Sequence, residues 1–312
     1  LPDIYDYVSS LQEAVETWYK MWNPLDSEFS DHIRLWLDKL NRLNLLGQHI
    51  YHPLVLVFLQ SVSAESKRLA FLQAVERHLF IVSLSDRRFA YSYPFGGMDP
   101  QMFQLAIDLR AGKISGDKAT KQIHEMTAAI LKSHFIDEVI FRFRTEGFYE
   151  WDGIRYFLFE YNLDLQERSK TQRPKIFWPE FNERKDDFIS VEHIFPQQPR
   201  HTYWQSRFNG LTQKHRTALR NSLGNLLPLS RPKNSSLSNK PFPDKIDGNN
   251  EPAVGYRYGC YAENEVSKCV EWTPSEILKR GTKMLEFLER RWAIQIGDLR
   301  SKKIMLGLEF MK

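Results

Sequence analysis

Apolar residues recur three and four positions apart through residues 1–165, the period of helices with one buried face. Val8, Leu11, Val15, Trp18, Tyr19 and Trp22 form one such stripe, ended by Asn23-Pro24. Ser30-Asp31 opens a second helix that carries Ile33, Trp36, Leu37, Leu40 and Leu43, with Gly47 as its natural stop. Further helices are expected at about 52–61, 65–82, 99–110, 116–132, 134–145 and 151–163, and Tyr93-Pro-Phe-Gly-Gly97 breaks the series. Aromatic positions such as Trp18, Trp22 and Trp36 read as core at this spacing rather than as base-stacking platforms. From Gln166 to Lys185 the period gives way to polar residues and prolines, including Trp178-Pro179. That places a domain boundary between a helical scaffold or linker domain, 1–165, and a second domain, 166–312.

The second domain mixes periods. Phe188, Ile189 and Val191 are strand formers, and Pro196 stops that strand from continuing as a central one. Ser222-Leu-Gly-Asn225 is a turn signal before a second apolar strand at Leu226, Leu227 and Leu229. Ser230 then serves as an N-cap with Pro232 just inside, so Asn234 falls in the first turn of a helix. On that helix Ser238 shares the face of Asn234, whereas Asn239 is rotated roughly 140° away at ~100° per residue. Gly255–Asn264 reads as an irregular turn or short hairpin. Thr273-Pro-Ser-Glu276 begins a last helix, whose apolar face is Ile277, Met284, Leu285, Leu288 and Trp292. The expected fold is mainly α, a helical N-terminal region plus a C-terminal α+β domain that contains a strand–strand–helix unit.

Composition changes this picture only through its distribution. With 42% hydrophobic and 26% charged residues the chain is that of an ordinary globular protein, and its net charge of +4 does not by itself indicate nucleic acid. Between Gln197 and Pro243, however, there is no Asp or Glu, while Arg200, Arg207, Lys214, Arg216, Arg220, Arg231, Lys233 and Lys240 all fall inside. Such a run makes a local positive field of the kind that gathers phosphate backbones, although a charge run alone reads first as a solvated basic loop; beside a candidate catalytic histidine its expected partner is double-stranded DNA. The two cysteines, Cys260 and Cys269, suit neither a zinc knuckle nor a disulfide framework and read as reduced thiols of a cytoplasmic protein. The apolar run Pro53–Leu59 is far short of the ~20 residues of a membrane span. Gly112-Lys113 lacks both the upstream Gly and the following Ser or Thr of a phosphate loop, and His124 and His134 lack the paired spacing of a helical zinc site.

The chemistry is concentrated in 187–240. His193, at a strand end, carries the one side chain whose ordinary pKa of ~6.5 leaves it part-neutral at cellular pH, and it is the candidate general base. Glu192 projects from the opposite face by strand alternation, unless the strand twists, and as a hard oxygen donor it would suit Mg²⁺ or Mn²⁺. Asn225 can bond across the loop and fix its shape, Asn234 can turn its amide oxygen toward an ion, and Asn239 is the weaker ligand or a structural amide. A single divalent ion and no structural zinc are expected.

Glu192-His-Ile-Phe-Pro-Gln197, Leu223-Gly-Asn-Leu226, Asn234-Ser-Ser-Leu-Ser-Asn239 and Phe242-Pro-Asp-Lys245 together resemble the HNH-type (ββα-metal) C-terminal domain of GmrSD-like and SspE-like restriction and phage-defence proteins. The resemblance runs from about Phe135 to Trp292, including the tail Trp272-Thr-Pro, Arg280 and Trp292. It implies a metal-dependent endonuclease that nicks or cleaves DNA, in some relatives linked to phosphorothioate modification, with catalytic residues His193, Asn225 and Asn234. It also implies an N-terminal ParB-like nucleotide-binding module, whose signature this sequence lacks; with Leu1 in first place, a longer parent protein is the expectation. Ser230 and Lys233 stand where zinc-stabilised relatives place Cys. The rival expectations are a non-catalytic DNA-binding or docking domain on the same scaffold, and an HNH-like nuclease that acts on RNA.

Overall fold

The structure is a computed structural model that describes residues 2–44, 51–85, 100–175, 190–248 and 254–312. Gly47, the loop Tyr93–Gly97, Trp178-Pro179 and the beginning of the expected first strand at Asp187, Phe188 and Ile189 lie outside the described residues. The described residues are mainly helical, and the sheet among them has two strands. No helix among them is long and apolar enough to cross a membrane. The chain divides into two compact units, Leu1–Phe135 and Ile136–Lys312.

The first unit holds α1 (Pro2–Trp22), α2 (Asp31–Asn44), α3 (His52–Ser61), α4 (Glu65–Leu84), α5 (Pro100–Arg110) and α6 (Gly116–Lys132). Their bounds follow the hydrophobic period to within a few residues. Helix α4 packs on α2 and α6, and Phe71 stacks on Phe58 of α3 with ring centroids 3.7 Å apart. Arg68 donates to the carbonyls of Leu59 and Val62, which satisfies acceptors left open at the end of α3. The stripe of α1 departs from expectation. Val8, Leu11, Val15, Trp18 and Tyr19 are exposed, and the residues turned inward are Ala14, Thr17 and Met21. Period identifies a face that needs covering; it does not say what covers it.

The second unit contains α7 (Phe135–Glu146), α8 (Ile154–Glu167), β1 (Ser190–His193), α9 (Thr202–Arg207), α10 (Gln213–Asn221), β2 (Leu226–Leu229), α11 (Arg231–Leu237), α12 (Phe242–Asp247), α13 (Tyr261–Val266), α14 (Pro274–Trp292) and α15 (Leu299–Met305). Helices α7 and α8 thus fall on the far side of the division from the expected boundary at 165/166. Loss of periodicity marks the end of α8, not the end of a core: Phe157 and Tyr161 are buried against Phe287, and Phe157 also meets Trp292. The stretch 255–264 is not a hairpin. It forms a short 3₁₀ turn at Tyr256–Tyr258 and then enters α13, whose first turn is capped by Glu263 accepting from the Cys260 amide at 2.8 Å.

Strands β1 and β2 pair antiparallel, with His193 opposite Leu226 and Ser190 opposite Leu229. The turn before β2, Leu223–Asn225, lies directly beneath α14. A Cβ on Gly224 would come within 2.0 Å of the Ile277 carbonyl oxygen and 2.6 Å of the Gly281 amide nitrogen, so only glycine permits this approach. Arg280 of α14 fixes the contact by donating through Nη1 to the carbonyls of Gly224 and Leu226, each at 2.8 Å. Gly224→Ala is therefore expected to lower stability by at least ~1–3 kcal/mol through overpacking against backbone that cannot yield. Gly210→Ala, at φ +74° with nothing near its Cβ, should cost only the ~1–2 kcal/mol of a left-handed alanine. Denaturant midpoints of the two variants check the difference; equal losses would contradict it.

Candidate functional site

Every side chain that reaches this site belongs to the second unit. Its base is set by Asn225, which is fully buried and uses its whole amide. Its Oδ1 accepts from the Phe195 amide at 2.7 Å and the Trp272 indole at 3.1 Å, while Nδ2 donates to the carbonyls of Phe195 (3.1 Å) and Arg220 (3.0 Å). One side chain thus joins the end of β1, the end of α10 and the approach to α14. This is the loop-fixing arrangement expected from the turn, and it leaves Asn225 no hydrogen-bonding atom for a substrate.

His193 sits at the end of β1 with 5% of its surface exposed. The Asn221 side chain lies beside the imidazole and favours its protonated form, and Nε2 is buried without a hydrogen-bond partner. The Tyr149 ring covers one side at 4.1 Å between centroids. Burial, then the charge of Arg220, brings the imidazole down from its ordinary pKa to about 4, with Asn221 opposing and Lys245 adding to the fall. At neutral pH His193 is consequently uncharged, with one buried nitrogen left unpartnered. Tyr149 and Asn221 were not anticipated from the sequence. Asn221 adjoins the Ser222–Asn225 turn and was within reach of that pattern; Tyr149 is brought in by the Gly147–Tyr149 loop, where the Phe148 amide donates to the Asn221 carbonyl at 2.8 Å.

The imidazole borders an open cleft of about 400 Å³ that is also lined by Tyr149, Val191, Glu192, Pro196, Gln197, Gln198, Arg231, Asn234, Ser235, Ser238 and Asn239. Ser230 caps α11 as expected, accepting from the Lys233 amide at 3.4 Å, and so presents Asn234 on the first turn. Asn239 also reaches the cleft. The rotation that would have taken it away assumes a helix running on to 239, but α11 ends at Leu237 and Ser238 turns the chain at φ 40°, ψ −127°.

Glu192 is placed differently from a free ligand. Its carboxylate is buried, forms an ion pair with Lys245, and accepts from the Tyr256 hydroxyl at 3.3 Å. Lys245 Nζ also lies 3.4 Å from the His193 carbonyl and 3.3 Å from that of Ile194, so the pair ties α12 to the end of β1. Burial pushes the Glu192 carboxyl above its ordinary range, with Lys245 and Tyr256 pulling against that. Among the described residues no group of three His, Cys, Asp or Glu side chains is placed to hold an ion. Of the expected donors, Glu192 lines the cleft while paired with Lys245, and Asn234 and Asn239 bring neutral amides to it.

The basic stretch is less uniform than its sequence. Arg231 lines the cleft, and Arg200 and Lys214 are exposed. Lys233 is instead ion-paired with the buried Glu263 and donates to the Gly255 carbonyl at 3.1 Å, while Arg207 pairs with Glu271 at 3.1 Å and covers the Tyr203 ring. An acid-free run in sequence is therefore not uncompensated in space: its counter-charges come from 263–271. Arg220 donates to the Pro196 carbonyl at 3.3 Å, and Arg216 and Lys240 are part-buried.

Residues 134–287 match the family model of GmrSD restriction endonucleases, C-terminal domain. The GmrSD match covers 154 of 312 residues, just under half of the chain, and agrees with the resemblance placed from about Phe135. It includes the whole site, from Tyr149 through His193, Asn225 and the cleft to Trp272 and Arg280, and points to a restriction-endonuclease type of function. No curated protein and no solved structure matches the chain.

The Glu192–Lys245 assignment carries its own test. Lys245→Met leaves a carboxylate buried without its partner and should cost ~3–5 kcal/mol of unfolding free energy. Adding Glu192→Gln should recover a large part of that loss. Denaturation of the two variants measures it, and a single variant as stable as the wild type would show that Glu192 is not held in this way.

Proposed function

We propose that the second unit is an HNH-type nuclease that nicks or cleaves DNA, with His193 as the general base that takes a proton from the attacking water. The observation that carries this reading is the uncharged imidazole, whose buried Nε2 has no hydrogen-bond partner, at the wall of the polar cleft. A base must be deprotonated and must come within hydrogen-bond reach of the proton it takes, a contact that often tightens only once substrate is bound. Burial with Arg220 supplies the protonation state, and the unpartnered Nε2 is the atom assigned to take the proton. Arg231 is placed to neutralise a phosphate, and Asn234, Ser238 and Asn239 offer neutral donors to its oxygens. Glu192, Asn234 and Asn239 line this cleft and would be the donors to a Mg²⁺ or Mn²⁺ ion, which would neutralise phosphate charge there. Backbone contacts of this kind carry no base sequence, so target selection is assigned elsewhere, to the helical unit or to a ParB-like module of a longer protein.

Plasmid nicking by the purified chain tests the reading. His193→Ala should lower the rate by ~10²–10⁴-fold with the fold retained, the range that general-base catalysis contributes. Nicking as fast as wild type would overturn the assignment, and DNA binding without nicking by either protein would favour a docking domain.

The pH dependence follows from sign. A base whose folded pKa is lowered to about 4 is lost only as pH falls toward 4, so the acid limb of kcat/KM should lie well below the ~6.5 of a free imidazole. Between these values the unfolded chain binds the proton more readily, and the contribution of His193 to stability should decline as pH falls through the same window. Profiles of rate and of stability against pH check both; an acid limb near 6.5 would contradict the placement.

A further inference from the structure

The exposed stripe of α1 has the spacing of a coiled-coil seam. Ile4, Val8, Leu11, Val15, Trp18 and Trp22 follow one another at intervals of four, three, four, three and four residues, an unbroken a/d heptad pattern. Val8 and Val15 take the a positions and Ile4, Leu11 and Trp18 the d positions, and β-branched residues at a favour two strands. Those five are exposed, from 43% at Trp18 to 66% at Val15. Trp18 and Trp22 lean on the His52 ring of α3, with centroids 5.4 and 4.8 Å away, so among the described residues of the first unit the uncovered part of the seam runs from Ile4 to Val15 and onto the free side of Trp18.

We propose that α1 pairs with α1 of a second copy of this chain. The seam is self-complementary, and its flanks permit a like partner. The flanking positions that stay exposed, Tyr5, Tyr7, Gln12 and Tyr19, are all uncharged, so two copies meet without like-charge repulsion, while the g residues Ala14 and Met21 turn inward. The charges of the helix, Asp3, Asp6, Glu13, Glu16 and Lys20, fall at b, c and f, away from the seam. They are predominantly acidic, which disfavours an anionic lipid surface, since membrane-lying helices are basic on the polar face. The available area is of the right order. Tyr5, Tyr7, Trp18 and Tyr19 are 43–70% exposed, and rings that can each bury ~150–250 Å² supply much of the ~800 Å² per partner of a standard interface.

Sedimentation velocity of the whole chain over a range of micromolar concentrations tests this. The wild type is expected to dimerise, and Leu11→Asp with Val15→Asp should weaken dimerisation at least ~30-fold, the loss of one interface hot spot. Helical circular dichroism should be retained, because both side chains are exposed. Glu13→Lys, at an f position, should leave the dimer intact. A wild type that stays monomeric overturns the proposal, whether or not it then binds anionic vesicles through this face; so does a dimer indifferent to the Asp substitutions.

Discussion

The second unit depends on a single turn held from all sides. Gly224 lets the backbone of Leu223–Asn225 meet the backbone of α14, and Asn225 spends its whole amide on Phe195, Arg220 and Trp272. Arg280 locks the same turn from above. Because β2 begins immediately after it and His193 pairs with Leu226, the position of the imidazole follows from this contact. The tail Trp272 to Trp292, remote in sequence from the cleft, is thus part of what aims it.

Charge is managed around the site in two opposite ways. The carboxylate of Glu192 is taken from water and given a buried ammonium, which makes a candidate ligand also a brace between α12 and β1. His193 is likewise buried but is left uncharged, with Arg220 and Lys245 both opposing its protonation. Glu192 and His193 line the same cleft, one as a braced charge and the other as a neutral ring.

Much of this was legible along the chain. Helix bounds follow period and caps, and Ser230 with Pro232 correctly places Asn234 at the cleft, since these are local rules satisfied locally. Pairings across long separations were not legible: Lys245 with Glu192, Lys233 with Glu263, Tyr149 on His193. Each depends on which elements the fold brings together, and no spacing encodes it. The seam of α1 failed for a related reason, because an apolar stripe looks the same whether its partner lies in the chain or outside it.

The central claim is that His193 is held neutral with Nε2 unpartnered. Nitrogen-15 NMR of the labelled imidazole, followed through an acid titration, tests it most directly. The account predicts a ring that stays uncharged at pH 6, titrates near the value of about 4 set by burial and Arg220, and carries its proton on the nitrogen other than Nε2. A ring that titrates near the ~6.5 of a free imidazole, or one protonated at Nε2 when neutral, would contradict it.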